Sequence, residues 1–350
     1  MAAEAAAASP EETLAALLRE AAALRQRLHD ENSKLDDVSL VTVGERLEPL
    51  SLPGLKLRRV LKGHQSKVLC VDWAPDRRRL ASSAQDGRLL LWDAFAAARE
   101  HAHPTGSPWA LACAYAPSGA LVAAGGLDNK VTLWAASGEA GERRAVATQA
   151  SYVAAVAFPR SSRQLLSAGG DGGVALWDVE GCCTLHAWAA HAADATSLHV
   201  APGAAADVFA SGAADRAALV WDARSPAPAR AFTRHDSDVT SVRFHPSGDA
   251  LATACDDSLV RVWDLRADRE LARYSRDSQL FGCASVEWSG SGRLLFAGYG
   301  DHTACAWDAL RGTRVAVLCG HEHRVARVQL SPDHTALATA SWDATIRIWA

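Results

Sequence analysis

The sequence predicts an all-β ring of seven four-stranded blades, a seven-bladed β-propeller, with an N-terminal coiled-coil α-helix in front of it. Three observations predict this. Seven tryptophans, Trp92, Trp134, Trp177, Trp221, Trp263, Trp307 and Trp349, succeed one another at steps of 42, 43, 44, 42, 44 and 42 residues. Six residues before each stands an aspartate: Asp86, Asp128, Asp171, Asp215, Asp257, Asp301 and Asp343. Between residues 11 and 37 the spacing changes, and leucine and alanine recur three or four apart. A period of about 40–45 residues marks a propeller blade, which cannot bury both faces without neighbours.

In chain order, residues 1–10 are alanine-rich and are expected to be disordered. Residues 11–37 form the helix, with a seam of Leu14, Leu17, Ala21, Leu24, Leu28 and Leu35 and with Glu31 at its one polar position. Thr13 stands near its start and no proline follows until Pro49. The helix could pack on the chain's own body. A closed ring has no groove that requires it, however, and an isolated helix of this length is marginal in water, so a partner helix is expected. Residues 38–54 read as a linker. Residues 55–350 are the propeller. Within it Leu55–Leu61 alternates as a strand, and it is expected to supply the outer strand of blade seven, since the chain stops one residue after Trp349. That pairing would close the ring and remove two open sheet edges.

Composition narrows the function. Of the 350 residues 49% are hydrophobic and 22% charged, as in a globular body. A net charge of −4 gives no electrostatic reason to expect nucleic acid. The eight cysteines form no CxxC pair and no cluster with histidine, so they read as small buried hydrophobes in a reducing compartment, with Cys182–Cys183 as turn thiols. No apolar run is long enough to span a bilayer. The N-terminus lacks a signal-peptide pattern, and the terminal RIWA offers no cysteine for prenylation. A cytoplasmic protein is expected, held at a membrane only through a partner.

Further registers lie inside the repeat. Nineteen residues before the tryptophan stand Trp73, Tyr115, Phe158, Phe244, Trp288 and Leu330, expected as core between blades. The fourth copy escapes this register because its loop, Ala201–Asp207, is longer. Histidine, serine or threonine, aspartate and tryptophan recur as His64, Ser82, Asp86 and Trp92; His191, Ser211, Asp215 and Trp221; His235, Thr253, Asp257 and Trp263; and His321, Thr339, Asp343 and Trp349. The set resembles a catalytic triad, but an enzyme needs one nucleophile site, not four. Copies two and six lose both partners together, with Gly106 or Gln279 for histidine and Ala124 or Ala297 for the hydroxyl. Joint loss is what a buried hydrogen-bond chain predicts, because a half-satisfied one is costly. No catalytic residue is assigned. No P-loop, dinucleotide fingerprint or zinc spacing is present, so no cofactor or metal is expected. The glycines of Gly125–Gly126 and Gly169–Gly173 are read as turn residues needing positive φ.

The positions that do not repeat carry the functional signal. Three residues after the histidine register stand Lys67, Trp109, Tyr152, Asp194, Asp238, Gly282 and Arg324. Two further on stand Leu69, Leu111, Ala154, Thr196, Thr240, Ala284 and Ala326. One before the repeat aspartate stand Gln85, Leu127, Gly170, Ala214, Asp256, Gly300 and Trp342. These loops should crowd one mouth of the channel. Trp109, Tyr152, Trp342, Leu111 and Leu127 would there form an exposed apolar patch beside Lys67 and three aspartates, the composition of a protein-binding surface. The quieter alternative is that they pack against neighbouring loops. Of the twelve tryptophans, only Trp188 fits no register.

A helix followed by seven such units resembles the WD40 family and, within it, the beta subunits of heterotrimeric G proteins. The stretches that carry the resemblance are ACAYAPSG (112–119), GGLDN (125–129), HPSGDA (245–250), DLRADRE (264–270), SGRLLFAGY (291–299) and SWDATIRIW (341–349). LKGHQSKVLCVDW (61–73) and QDGRLLLWDAF (85–95) look closest to the beta-5 branch. The resemblance implies a non-catalytic protein that signals by binding. Its N-terminal helix would pair with a gamma subunit or, in the beta-5 branch, with the gamma-like domain of an R7-type regulator of G-protein signalling. The mouth would meet an alpha subunit and effectors through Lys67, Leu69, Trp109, Leu111, Leu127, Asn129, Tyr152, Asp194, Asp238, Asp256 and Trp342. Two other readings compete: a propeller adaptor for linear peptides in ubiquitin or chromatin complexes, which would need a further domain or motif, and a propeller enzyme, which would need a unique site.

Overall fold

In the computed structural model, residues 16, 17, 19–24, 26, 27, 30, 31, 40–50, 55–137, 144–203, 207–276 and 280–350 are described. Seven four-stranded antiparallel sheets follow one another along the chain. Their inner strands are Val68–Trp73, Ala110–Tyr115, Val153–Ala157, Ala195–Val200, Val239–Phe244, Cys283–Trp288 and Val325–Leu330. Six sheets use consecutive strands. The seventh takes its outer strand from the other end of the chain: Leu57–Lys62 pairs with Thr345–Trp349, placing Leu57 opposite Trp349 and Leu61 opposite Ile346. The pairing continues past the strands, since Lys56 and Ala350 exchange backbone hydrogen bonds at 3.1 and 3.2 Å. Relative to the expected Leu55–Leu61, the strand lies further along the chain.

The second strand of each blade is buried on both sides, which explains its alanine, serine and glycine. A blade packs its second strand on the inner strand of the next blade, and bulk on one side requires its absence on the other. Gly125 faces Val153, Gly212 faces Val239 and Gly298 faces Val325; a β-carbon at Gly125 would stand 2.5 Å from a Val153 methyl. The glycine reading therefore needs correction. Among Gly125, Gly126, Gly169, Gly170, Gly172 and Gly173, only Gly172 has positive φ. The others serve close approach. The left-handed turn position is the residue after the repeat aspartate, where Gly87, Asn129, Gly172, Arg216, Ser258, His302 and Ala344 have φ between 62° and 72°.

The interblade core also places Trp73 and Trp288, 6% and 5% exposed. Each indole donates across to the preceding blade's inner strand, to Gln329 O at 3.2 Å and Arg243 O at 3.3 Å. Trp188 is a core residue as well: it lies edge-on to Phe209 at 5.2 Å and donates to Ser225 O at 2.9 Å. Cys70, Cys113, Cys255, Cys283 and Cys305 are buried as expected of small hydrophobes. Cys182, Cys183 and Cys319 are exposed, Cys182 at a left-handed turn and Cys319 just past the outer strand Thr313–Leu318.

Part of the segment read as a linker has structure of its own. Leu40–Gly44 is a short helix lying on blade six, with Gly44 against the backbone of Leu310. Arg311 and Arg293 fix the segment after it by donating to Leu47 O at 2.7 Å and Glu48 O at 2.8 Å. Ahead of it, the described residues between 16 and 31 are helical. Leu14, Leu28 and Leu35, and the expected disorder of residues 1–10, lie outside the described residues.

Candidate partner-binding faces

The recurring polar set lies inside the blades as chains of hydrogen bonds. In blade one His64 Nδ1 is 2.9 Å from Asp86 and Nε2 is 2.7 Å from Ser82 Oγ, which also accepts from the Trp92 indole at 2.8 Å. His191, Ser211, Asp215 and Trp221 repeat this, as do His321, Thr339, Asp343 and Trp349. Each histidine holds the strand entry to the turn aspartate, and each hydroxyl joins ring to indole. Where copies two and six lack the hydroxyl, the indole nitrogens of Trp134 and Trp307 are buried without a hydrogen-bond partner. His103 stacks on Trp134 at 4.8 Å, and Arg276 occupies the sixth copy, 2.5 Å from Asp301 and over the Tyr299 ring.

Blade five departs from the expected chain. His235 Nε2 reaches Thr253 at 2.8 Å and Trp263 donates to the same hydroxyl at 2.9 Å, but His235 Nδ1 faces Arg216 O and not Asp257. Asp257 is instead paired with the fully buried Arg261 at 2.8 Å. Burial and then the Arg261 charge push His235 down to about 4, and its Nδ1–H goes to the Arg216 carbonyl while the Arg261 guanidinium takes the carboxylate.

The acid response follows from these contacts. Burial alone would raise the carboxyls of Asp86 and Asp343, but hydrogen bonds, foremost from His64 and His321, hold both below the usual range. A carboxyl depressed in the folded state stabilises above its unfolded value near about 4, and that contribution is lost as pH falls through the folded value. Melting temperature should therefore decline below about pH 4. Asp343→Asn should be less stable at pH 7 by about 1–3 kcal/mol, with a shallower acid limb in thermal melts.

At one end of the channel the non-repeating residues are brought together by the bulges. In all seven blades the pairing of inner and second strand shifts register at the second mouth position, the site of Leu69, Leu111, Ala154, Thr196, Thr240, Ala284 and Ala326. A bulge re-aims the side chain it carries. Thr196 and Thr240 use this to bond the next blade, to Val239 O at 2.5 Å and Cys283 O at 2.6 Å; Leu69 and Leu111 have no such group and are half-buried.

The expected exposed patch is only partly exposed. Trp109 is 44% and Leu127 39% exposed, while Trp342, Tyr152 and Leu111 are half-buried. Trp342 lies beneath the Lys67 ammonium at 4.1 Å and the Arg324 guanidinium at 5.5 Å, with the His323 ring 5.5 Å away. Exposed pairs of this kind are worth roughly 0.5–1 kcal/mol. The Tyr152 ring lies where a side chain at Gly170 would otherwise stand, which explains that glycine. Its hydroxyl donates to Asp194, and burial and then that carboxylate push the phenol up to about 12. Asp238 and Asp256 are exposed, and Arg324 approaches Asp256 to 3.7 Å. Asn129, half-buried at the left-handed turn, donates to Ala150 O at 3.4 Å. Two residues of this loop system were not singled out from the sequence: Leu280, 83% exposed, and Phe281, 47% exposed, just before Gly282. Two large apolar residues in one blade-entry loop were the available signal.

A second face lies on the N-terminal helix. Leu17 and Leu24 are 62% and 55% exposed, and Ala21 between them is exposed too. No described helix is long and apolar enough to cross a membrane, and no cluster of potential metal ligands occurs among the described residues.

Comparison with known proteins agrees with this geometry. The family model described as "G protein beta WD-40 repeat protein" matches residues 12–350. The chain is 52% identical over 321 residues to guanine nucleotide-binding protein subunit beta-5b of Danio rerio, covering 90% of this chain and 81% of that one. It is 44% identical to guanine nucleotide-binding protein subunit beta-2 of Caenorhabditis elegans, over 97% of this chain and 93% of that one. Against the G(I)/G(S)/G(T) subunit beta-1 of Homarus americanus identity is 38%, over 96% and 99%. With the helix, the seven blades and a family match across nearly the whole chain, the protein belongs to the WD-repeat family of G-protein beta subunits, and stands nearer the beta-5 relative than the other two.

Proposed function

We propose that this beta subunit acts only in a complex, in which its N-terminal helix is covered by a gamma subunit or by the gamma-like domain of an R7-type regulator of G-protein signalling, and its channel mouth takes the alpha subunit and effectors. The observation that carries the proposal is the exposed leucine seam of Leu17 and Leu24. Two leucines and an alanine facing water along one helical stripe lose free energy that a second helix would recover, about 1.5–3 kcal/mol for each leucine fully buried. The greater identity to the beta-5b relative favours the R7-type regulator as the occupant. The complex would work at the inner face of the plasma membrane, held there through the partner.

The mouth supports the second half of the reading. Trp109 and Leu127 offer apolar surface, ringed by Lys67, Asp238 and Asp256, in positions the repeat does not dictate. Affinity purification of the full chain from native tissue, with the bound small chain identified by mass, tests the pairing. Recovery of a gamma subunit or an R7-type regulator supports it. A monodisperse protein lacking either, and unchanged by deletion of residues 11–37, would overturn it.

A further inference from the structure

The other end of the channel holds a polar arrangement that neither partner face uses. Twenty residues before the blade tryptophans stand Asp72, Ala114, Ala157, Arg243, Glu287 and Gln329, with His199 at twenty-two in the longer fourth copy. One side of this belt is bonded. Arg243 donates to Glu287 at 3.0 Å and to Gln329 at 2.9 Å, Gln329 donates to Asp72 at 2.9 Å, and Asp72 accepts the Tyr115 backbone N–H at 2.7 Å. On the other side Ala114 and Ala157 contribute no polar group, and a cavity of about 240 Å³ opens beside them.

Beside the bonded Asp72, Arg243 and Gln329, the same cavity is lined by Arg327 and His199. Arg327 occupies a position where Ser197, Ser241 and Ser285 accept the next blade's backbone N–H at 3.1, 3.4 and 3.1 Å. A guanidinium cannot accept, and Arg327 Nε is buried without a hydrogen-bond partner. His199 accepts the Phe244 backbone N–H on Nδ1 at 3.0 Å, so the neutral ring carries its proton on Nε2. Burial, then the charges of Arg243 and Arg327, keep that ring neutral. Among the acids nearby, Glu287 is bound to Arg243 and both oxygens of Asp72 already accept hydrogen bonds. The Arg327 guanidinium, lining the cavity with an N–H that has no acceptor, is the group an anion would meet there.

We propose that this channel end is a binding site for a small tetrahedral oxyanion of the phosphate class, anchored by the Arg327 guanidinium and completed by the Nε2–H of His199. A charge-assisted contact from a planar guanidinium suits such an anion. The site is independent of the two partner faces and does not rest on the proposed pairing.

The test is titration of the full chain, with any partner it requires, with inorganic phosphate followed by phosphorus NMR line broadening at ionic strength held constant with chloride. Saturable broadening is expected in the wild-type protein, weakened tenfold or more by Arg327→Gln. Ala157→Leu, which fills the cavity and leaves every donor in place, should weaken it to a similar degree. Cys70→Ser should leave it intact, because the Cys70 thiol donates to Val71 O and Cys113 O and does not line the cavity. Absence of saturable broadening in the wild-type protein, or equal binding by Ala157→Leu, would overturn the proposal even if Arg327→Gln failed to fold.

Discussion

Replacing Leu17 and Leu24 together with glutamate should abolish co-purification of the gamma-like chain. Both leucines are largely exposed in the isolated chain, so the substitutions remove no contact that the propeller makes. Within a two-helix seam each would forfeit about 1.5–3 kcal/mol of apolar burial. Burying a carboxylate there without a partner would cost more again. Together the loss exceeds about 4 kcal/mol, on the order of a thousandfold in affinity. Two controls are needed. Circular dichroism should show the blades unchanged, because the strands of blade seven begin only at Leu57. Arg19→Ala, away from the seam, should leave pairing within about 1 kcal/mol of wild type. If the double variant pairs normally, the exposed stripe is not the docking face.

The second large effect is on stability. Trp263→Ala should cost about 3–5 kcal/mol, the range for removing a buried tryptophan. Trp263 is 1% exposed, stacks on Phe232 at 4.9 Å, and gives its indole hydrogen to Thr253. Truncation leaves a cavity between blades four and five and frees a hydroxyl that His235 alone then satisfies. A fall of roughly 5–10 °C in melting temperature is expected. Trp342→Ala serves as its counterpart: one residue before the repeat aspartate, covered by Lys67 and Arg324 but not packed in a core cluster, it should cost about 1 kcal/mol. Equal destabilisation by the two would erase the distinction between repeat and mouth.

That distinction is also where reading the sequence succeeds and fails. The blade count, the closure by an N-terminal strand and the buried polar chains follow from registers alone, because each is imposed seven times and a fold with one period leaves few alternatives. Blade five was not legible. Its histidine, threonine, aspartate and tryptophan are all present, yet Arg261, four residues past Asp257, takes the carboxylate. Only packing decides that a guanidinium points inward. The mouth positions were legible as exceptions, but their exposure was not: Trp342 is roofed by a lysine from the neighbouring blade, a contact between residues 275 positions apart in sequence. Asn129, attributed to the partner face by resemblance, stands at the left-handed turn shared by every blade, so the fold itself has a use for it. The glycines misled for a related reason, since a residue kept small for its neighbour looks the same as one kept small for its own φ.

The most direct measurement sets binding against folding in one protein. The complex carrying Trp109→Ala and Trp342→Ala should be compared with wild type by surface plasmon resonance against a GDP-bound alpha subunit and by thermal melting. If the residues outside the repeat carry the function, affinity falls by about 2 kcal/mol or more, roughly thirtyfold. The melting temperature should stay within about 3 °C of wild type. Unchanged affinity, or a loss of affinity that appears only together with a collapse in melting temperature, would contradict it.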